Sequence, residues 1–276
     1  MSANNLMADM VSQALQDRSL DWNDVALIVP YQQSQALLYE YADCLAARTY
    51  MKMSELPCYL DQRPNAEFMS PNGRVPVLKL DASANGKAGS SPDAKLHLIP
   101  DFEQIVDFIW KKKSLKLSST LTDAVQLDMK AHMAMIEETL KQAEMHLVWF
   151  DEATYNEVTY NRYGSVYFWP LNRILPPMKR SEIRTYMKNR QWDKKTPEEM
   201  LESADRVFHA LSVLLGEKNY FMGTTPTELD ALAFGHLFTI LSTTLPNSDL
   251  ADTLYKHKNL VEFCKAINRE YFKENK

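Results

Sequence analysis

The residues best suited to support chemistry are two tyrosines and a cysteine that lie close together near the start of the chain, Tyr39, Tyr41 and Cys44. They follow the apolar run Ala36 to Tyr39, which we interpret as the first strand of a small domain. A hydroxyl or thiol at the end of such a strand can hydrogen-bond to a bound sulfur atom. It would thereby lower the pKa of a thiol, which is normally about 8.5. If the chain bound a thiol substrate, these three side chains would be the candidates to activate it, and the sequence does not choose among them.

The fold that would position these residues is indicated by Val75 and Pro76, which lie between Gly73 and the apolar run Val77 to Leu80. A proline cannot donate a hydrogen bond to a sheet, so a strand accommodates it only at special positions. A cis peptide bond at the entry to a strand is the usual arrangement. We therefore predict that Pro76 is a structural cis-proline.

Short apolar runs alternate with helical segments over the first 114 residues, and the remainder is helical in pattern. The predicted strands are Ala36 to Tyr39, Cys58 to Leu60, Val77 to Leu80 and Leu96 to Ile99, with helices at 42–53 and 101–110. Further along, apolar residues recur at alternating steps of four and three from Met129 to Phe150, which predicts one long helix.

This order of elements resembles the glutathione transferases. The resemblance implies an α+β fold with an N-terminal thioredoxin-like domain at 24–114 and a C-terminal all-α domain at 115–276. Residues 1–23 would be an N-terminal extension. Residues 81–95 collect glycine, serine and proline and predict a flexible insertion.

The same resemblance supplies a second test for a glutathione site. Glutathione transferases place an acidic residue and a serine where the helix after the fourth strand begins, and the serine binds a ligand carboxylate. When Ile105 is aligned with the core isoleucine of that family, this pair becomes Asp101 and Phe102. Because phenylalanine cannot donate a hydrogen bond, we predict a degenerate glutathione site near Tyr39, Val75, Asp101 and Phe102, with no bound cofactor.

Composition argues against several other functions. The net charge is −5 and the pI is about 5.7, without the basic stripe that a nucleic-acid surface needs. The three cysteines form no Cys-x-x-Cys pair, and the six histidines form no ligand motif, so no metal site is predicted. No Gly-x-Ser-x-Gly or phosphate-binding loop occurs. The longest apolar run, Leu229 to Leu245, contains Asp230 and His236 and is predicted to be a buried core helix.

An aromatic segment between residues 151 and 195 is followed by a basic one. Tryptophan, tyrosine and arginine are over-represented at binding hot spots. The predicted partner interface comprises Tyr163, Trp169, Pro170, Leu171 and Asn172. The alternative is that these aromatic side chains pack between the domains of a single chain.

Several specific stretches resemble the metaxins. They are Asn65 to Pro71 with Val75-Pro76, Trp169-Pro170-Leu171-Asn172, and Pro226 to Leu232 with Phe234 to Leu237. The resemblance extends from about residue 30 to the end of the chain.

Membership of that family would imply a non-catalytic, peripheral subunit on the cytosolic face of the mitochondrial outer membrane. It implies a heterodimer with a metaxin-1-like subunit, through which the chain would be attached to the membrane indirectly. It further implies a part in protein import and in β-barrel assembly with the sorting and assembly machinery. Coupling to kinesin through an outer-membrane GTPase adaptor is also implied. The alternative is an active glutathione transferase in which Tyr39 or Tyr41 is the activating hydroxyl.

Overall fold

The computed structural model describes residue 22, residues 25–80 and residues 97–273. The predicted insertion at 81–95 and the predicted extension at 1–23, apart from Trp22, lie outside the described residues. The strands are β1 (Ala26–Val29), β2 (Tyr59–Gln62), β3 (Val77–Leu80) and β4 (His97–Pro100). The helices are α1 (Leu38–Met53), α2 (Ala66–Met69), α3 (Phe102–Lys113), α4 (Asp123–Met135), α5 (Lys141–Phe150), α6 (Glu152–Thr154), α7 (Tyr160–Gly164), α8 (Leu171–Asn189), α9 (Pro197–Leu215), α10 (Glu228–Ser242), α11 (Asp249–Tyr255) and α12 (Lys258–Tyr271).

The four strands form one mixed sheet in the order β2-β1-β3-β4. β1 runs parallel to β2 and antiparallel to β3, and β3 runs antiparallel to β4. β1 is completely buried, as its uninterrupted Ala-Leu-Ile-Val sequence requires. The Val75–Pro76 peptide bond, just before β3, is cis.

The prediction that Ala36 to Tyr39 forms the first strand is wrong. The first strand is Ala26–Val29, and Leu38 and Tyr39 already belong to α1. The cause is the carboxylate of Glu40, which accepts a hydrogen bond from the Leu37 amide at 3.0 Å and so caps the start of a helix. Apolar residues follow one another here because this helix is buried on nearly every side. A run of four apolar residues does not distinguish a buried helix from a buried strand.

The predicted long helix is present. α4 and α5 are joined by a π-helical turn, Ile136–Leu140, into one continuous helical run. Such a turn adds a residue to the helical repeat and re-aims the side chains that follow it. Lys141, Glu144 and Trp149 of α5, after this turn, are all buried.

The two halves of the molecule meet where α10 packs against α1. A Cβ atom on Gly235 of α10 would lie 2.5 Å from the Ala42 carbonyl oxygen and 2.7 Å from the Ala46 Cβ atom. Only glycine allows this close approach. α10 begins at Thr227, whose amide and hydroxyl both donate to the Asp230 carboxylate, at 2.8 and 2.6 Å. This helix carries His236 into the interior beside α1.

Candidate functional site

A cavity of about 250 Å³ lies between α1, the loop before β3, α5 and α8. Of the four residues predicted to form a degenerate glutathione site, Tyr39 and Val75 line this cavity, whereas Asp101 and Phe102 do not. The remaining lining includes Glu40, Asp43, Glu67, Lys141 and Lys179, none of which was predicted from the sequence as a site residue.

Tyr39 presents a hydroxyl that already has partners. It accepts a hydrogen bond from Trp149 Nε1 at 3.4 Å and lies 3.5 Å from a carboxylate oxygen of Glu40, to which it donates. Burial, reinforced by the charge of Glu40, raises the pKa of Tyr39 well above its ordinary value. The phenol therefore stays protonated, and its proton is directed towards a carboxylate rather than into the cavity.

The cavity wall is rich in carboxylates. Burial raises the pKa of Glu40 to about 7, and the negative charge of Glu67 acts in the same direction. The two lysines of the wall are already committed, because Lys179 pairs with Glu67 and Glu182, and Lys141 pairs with Asp43 at 2.8 Å. A thiolate or a ligand carboxylate entering this space would face these carboxylates, which oppose its ionised form. Arg74, which is exposed, is the one cation of the lining without an ion pair among the described residues.

Asp101 and Phe102 have structural roles at the start of α3. Asp101, at a φ of 52°, accepts from the Gln104 amide at 3.1 Å and from the Asn72 side chain at 2.9 Å. Its carboxylate therefore caps the helix and fastens it to the loop before β3. Phe102 is buried and packs edge-on against Tyr50, with ring centroids 6.0 Å apart. Its ring packs in the core and offers no hydrogen-bond donor to a ligand carboxylate.

The other two candidate residues are also unavailable. Cys44 is buried, and burial raises the pKa of its thiol well above the ordinary value, which keeps it uncharged and unreactive. Tyr41 is half-buried in α1 and does not line the cavity. The structure thus does not bring the three residues together as one site. They lie on a helix, which directs successive side chains to different faces, whereas the prediction placed all three near the end of a strand.

Beneath the cavity, a buried polar network joins both halves of the molecule. His236 Nδ1 lies 2.9 Å from Glu144 Oε1, and His236 Nε2 lies 3.5 Å from Asp43 Oδ1. Burial alone would lower the pKa of His236, but the charges of Glu144 and Asp43 outweigh it and raise that pKa to about 10. The imidazolium therefore links α1, α5 and α10 at neutral pH.

Asp43, Glu137 and His236 place ligand atoms within 4.8 Å of one another, which is a geometry that could suit a metal ion. The ammonium group of Lys141 already lies 2.8 Å from Asp43 and 2.9 Å from Glu137. It supplies the positive charge that a metal would otherwise bring, so we assign this cluster a structural role.

The predicted partner interface divides into buried and exposed parts. Tyr163 is buried against Trp149, and Asn172 is half-buried. Trp169 is 78% exposed, Phe168 beside it is 88% exposed, and Pro170 and Leu171 are exposed as well. Ile174 and Met178 extend this surface at helical spacing, a pattern that the sequence already contained but that the aromatic residues obscured. We call Phe168, Trp169, Leu171, Ile174 and Met178 the exposed apolar patch.

Comparison with known proteins identifies the family. Residues 44–180 match the model of the outer mitochondrial membrane transport complex protein, and residues 204–267 match the glutathione S-transferase C-terminal domain. The chain is 42% identical over 243 residues to the metaxin-2 homolog of Caenorhabditis elegans, covering 88% of this chain and 99% of that protein. It is 40% identical over 247 residues to human metaxin-2, covering 88% of each.

Solved structures show the fold. A glutathione transferase family member from Pseudomonas fluorescens, with two glutathione molecules bound, matches with a TM-score of 0.52 and 12% identity, over 90% of this chain and 88% of that one. A glutathione S-transferase from Methylobacterium radiotolerans, in complex with glutathione sulfonate, matches with a TM-score of 0.54 and 14% identity, over 90% and 92%. These likenesses confirm the predicted glutathione-transferase-like α+β class. The sequence relatives go further, and they show that the chain belongs to the metaxin family.

Proposed function

We propose that this protein is a non-catalytic subunit of a transport complex at the mitochondrial outer membrane. The observation that carries the proposal is the identity of 40–42% to metaxin-2 proteins along nearly the whole fold. The match of residues 44–180 to a component of the outer mitochondrial membrane transport complex supports the same location. Among the described residues, none of the helices combines the length and apolarity needed to cross a bilayer.

The absence of catalysis is proposed on the chemistry of the cavity. Thiol activation requires a donor that stabilises a developing thiolate. Here the hydroxyl of Tyr39 is bonded to Trp149 and Glu40, and the surrounding carboxylates oppose a second negative charge. Phe102 removes the hydroxyl that would hold the substrate carboxylate. The glutathione site is therefore proposed to be degenerate, with Tyr39, Val75, Asp101 and Phe102 retained as parts of the fold.

The finer assignment is a heterodimer with a metaxin-1-like subunit on the cytosolic face of the membrane. In this arrangement the pair supports import and assembly of β-barrel proteins by the sorting and assembly machinery. Sequence similarity to metaxin-1 proteins, 28% over 236 residues for the mouse protein, supports two related subunits that could pair through similar folds. Coupling to kinesin through an outer-membrane GTPase adaptor stays a prediction, since no described surface favours it.

The test is affinity capture of the full chain from mitochondria solubilised in mild detergent, followed by cross-linking mass spectrometry. We expect cross-links to a metaxin-1-like subunit and to an outer-membrane β-barrel assembly protein. An unrelated cytosolic protein of similar net charge, captured in the same way, is the control. A protein that captures neither subunit would contradict the proposal.

One experiment distinguishes the alternative function, an active glutathione transferase, from the proposed one. The purified chain would have to be retained on immobilised glutathione and conjugate glutathione to an electrophile. We expect neither retention nor conjugation. Retention or conjugation at the level of a transferase of the same fold would contradict the non-catalytic assignment.

A further inference from the structure

The exposed apolar patch lacks any covering from the described part of the chain. Phe168 and Trp169 lie immediately before α8, and Leu171, Ile174 and Met178 follow on one face of that helix at positions i, i+3 and i+7. Large apolar side chains that stay this exposed, side by side, mark an interaction surface rather than ordinary surface composition.

Positive charge predominates around the patch. No aspartate or glutamate occurs between Val158 and Ser181, although the whole chain carries a net charge of −5. Glu152 pairs with Arg180, whereas Glu67 and the exposed Glu182 of α8 itself share the single cation of Lys179. One negative charge is therefore left over beside the patch, and the five arginine and lysine residues of α8 outweigh it.

Cations without an ion pair among the described residues lie along the same helix. Arg173, Arg184 and Lys188 are exposed on α8 and form no ion pair within residues 25–80 and 97–273. Arg173 belongs to the first turn of the helix, beside Leu171 and Ile174, and the other two continue along the solvent side. An apolar stripe edged by arginine and lysine, and preceded by a protruding Phe-Trp pair, is the pattern of a helix that lies in a membrane interface.

We propose that the exposed apolar patch docks directly onto an anionic phospholipid bilayer, with Phe168 and Trp169 inserted among the lipids and the cations of α8 on the headgroups. This rests on the proposed function, because it requires the protein to be at the outer membrane. It replaces purely indirect attachment with a lipid contact of the protein's own. A metaxin-1-like protein surface is the competing occupant. The cations are spread along the whole length of α8, and a bilayer of anionic headgroups presents negative charge over that whole length, so the charge distribution favours the bilayer.

The experiment uses the purified full chain and vesicles of phosphatidylcholine, alone or mixed with phosphatidylinositol. Binding is measured by co-sedimentation at low and high salt. We expect binding to the anionic vesicles that weakens as salt rises, and little binding to phosphatidylcholine alone. The double substitution Phe168→Ser and Trp169→Ser should weaken binding about tenfold or more, because two large side chains lose their apolar burial.

Leu127→Ser is the matched control, since Leu127 is 72% exposed on α4 and lies outside the patch. It should leave vesicle binding unchanged. Thermal melting should not distinguish the double variant from the wild type, because Phe168 and Trp169 make little contact with the core.

Three results would overturn the inference. They are failure of the wild type to bind anionic vesicles, equal binding by the double-serine variant, and loss of metaxin-1-like capture in detergent by that variant. The last result would assign the patch to the protein partner. The proposed function fails separately, when the wild type itself captures no metaxin-1-like subunit.

Discussion

Replacing Gly235 with alanine should destabilise the protein strongly, although the same change in most helices is stabilising. In an exposed helix interior, alanine is favoured over glycine by about 1 kcal/mol. Here the new methyl group would lie 2.5 Å from the Ala42 carbonyl oxygen and 2.7 Å from both the Ala46 amide nitrogen and the Ala46 Cβ atom. Two of these three atoms belong to the backbone of α1, so a change of side-chain rotamer cannot relieve the contact.

The magnitude follows from the distances. Ordinary van der Waals contact begins at 3.4 Å, so α10 and α1 must separate locally by 3.4 − 2.5, or about 0.9 Å. Overpacking of a core typically costs about 1–3 kcal/mol and occasionally more. The shift also pulls His236 away from Asp43, across a contact that is already 3.5 Å long. With a cost at the upper end of that range and the gain in helix propensity of about 1 kcal/mol subtracted, we expect a net loss of about 2 kcal/mol, or roughly 4–8 °C in Tm.

The assay is thermal and urea unfolding followed by circular dichroism, with wild type and variant at the same protein concentration. Ala46→Gly combined with Gly235→Ala serves as the structural control. It removes one of the three close contacts but leaves both backbone contacts, so recovery should be partial at best. A Gly235→Ala variant that melts at or above the wild-type temperature would refute the close α1–α10 packing.

Two further predictions test the buried network and the cavity. His236→Gln should lower stability by about 3–5 kcal/mol near neutral pH, because it leaves Glu144 as an unpaired buried carboxylate. The folded pKa of His236 is raised to about 10 from 6.5, so its stabilisation is complete below pH 6.5 and lost as pH rises towards 10. Unfolding measured across that window should lose much of its pH dependence in the variant, and an unchanged dependence would contradict the assignment. Phe102→Ser should gain no retention on immobilised glutathione and should cost about 3–5 kcal/mol of stability. Clear retention would show that the missing hydroxyl alone closes the site.

The sequence predicted the fold where its signals were local. Val77 to Leu80 is a strand and Met129 to Phe150 is helical, because an apolar period over several turns depends on the segment's own residues. The failure at Ala36 to Tyr39 has a different origin. The cap that Glu40 gives the Leu37 amide is a local signal for a helix. The burial of Tyr39 against Trp149, 110 positions away, gives the segment the apolar run of a strand and hides that signal.

The candidate site was predictable only in part, for the same reason. Phe102 could be aligned with the carboxylate-binding serine of the glutathione transferases, and the loss of a hydrogen-bond donor follows from the chemistry of phenylalanine. Glu67 and Lys179 meet across 112 positions, and neither has a spacing that signals the other. Charge pairs of this kind are a property of the tertiary fold, and they determine the electrostatics of the cavity more than any single motif does.

The buried network explains why a chain without a functioning glutathione site would keep the shape of one. Asp43, Lys141, Glu144 and His236 link helices of both halves, and removing one partner leaves another charge buried without compensation. Asp43 and Lys141 also belong to the cavity wall. Asp43 is thus both a carboxylate of the cavity wall and a link between the halves, so under the proposed function a change that reopened the ligand site would also weaken the fold. The proposed function, docking within a complex, would need that rigidity and would not need the ligand.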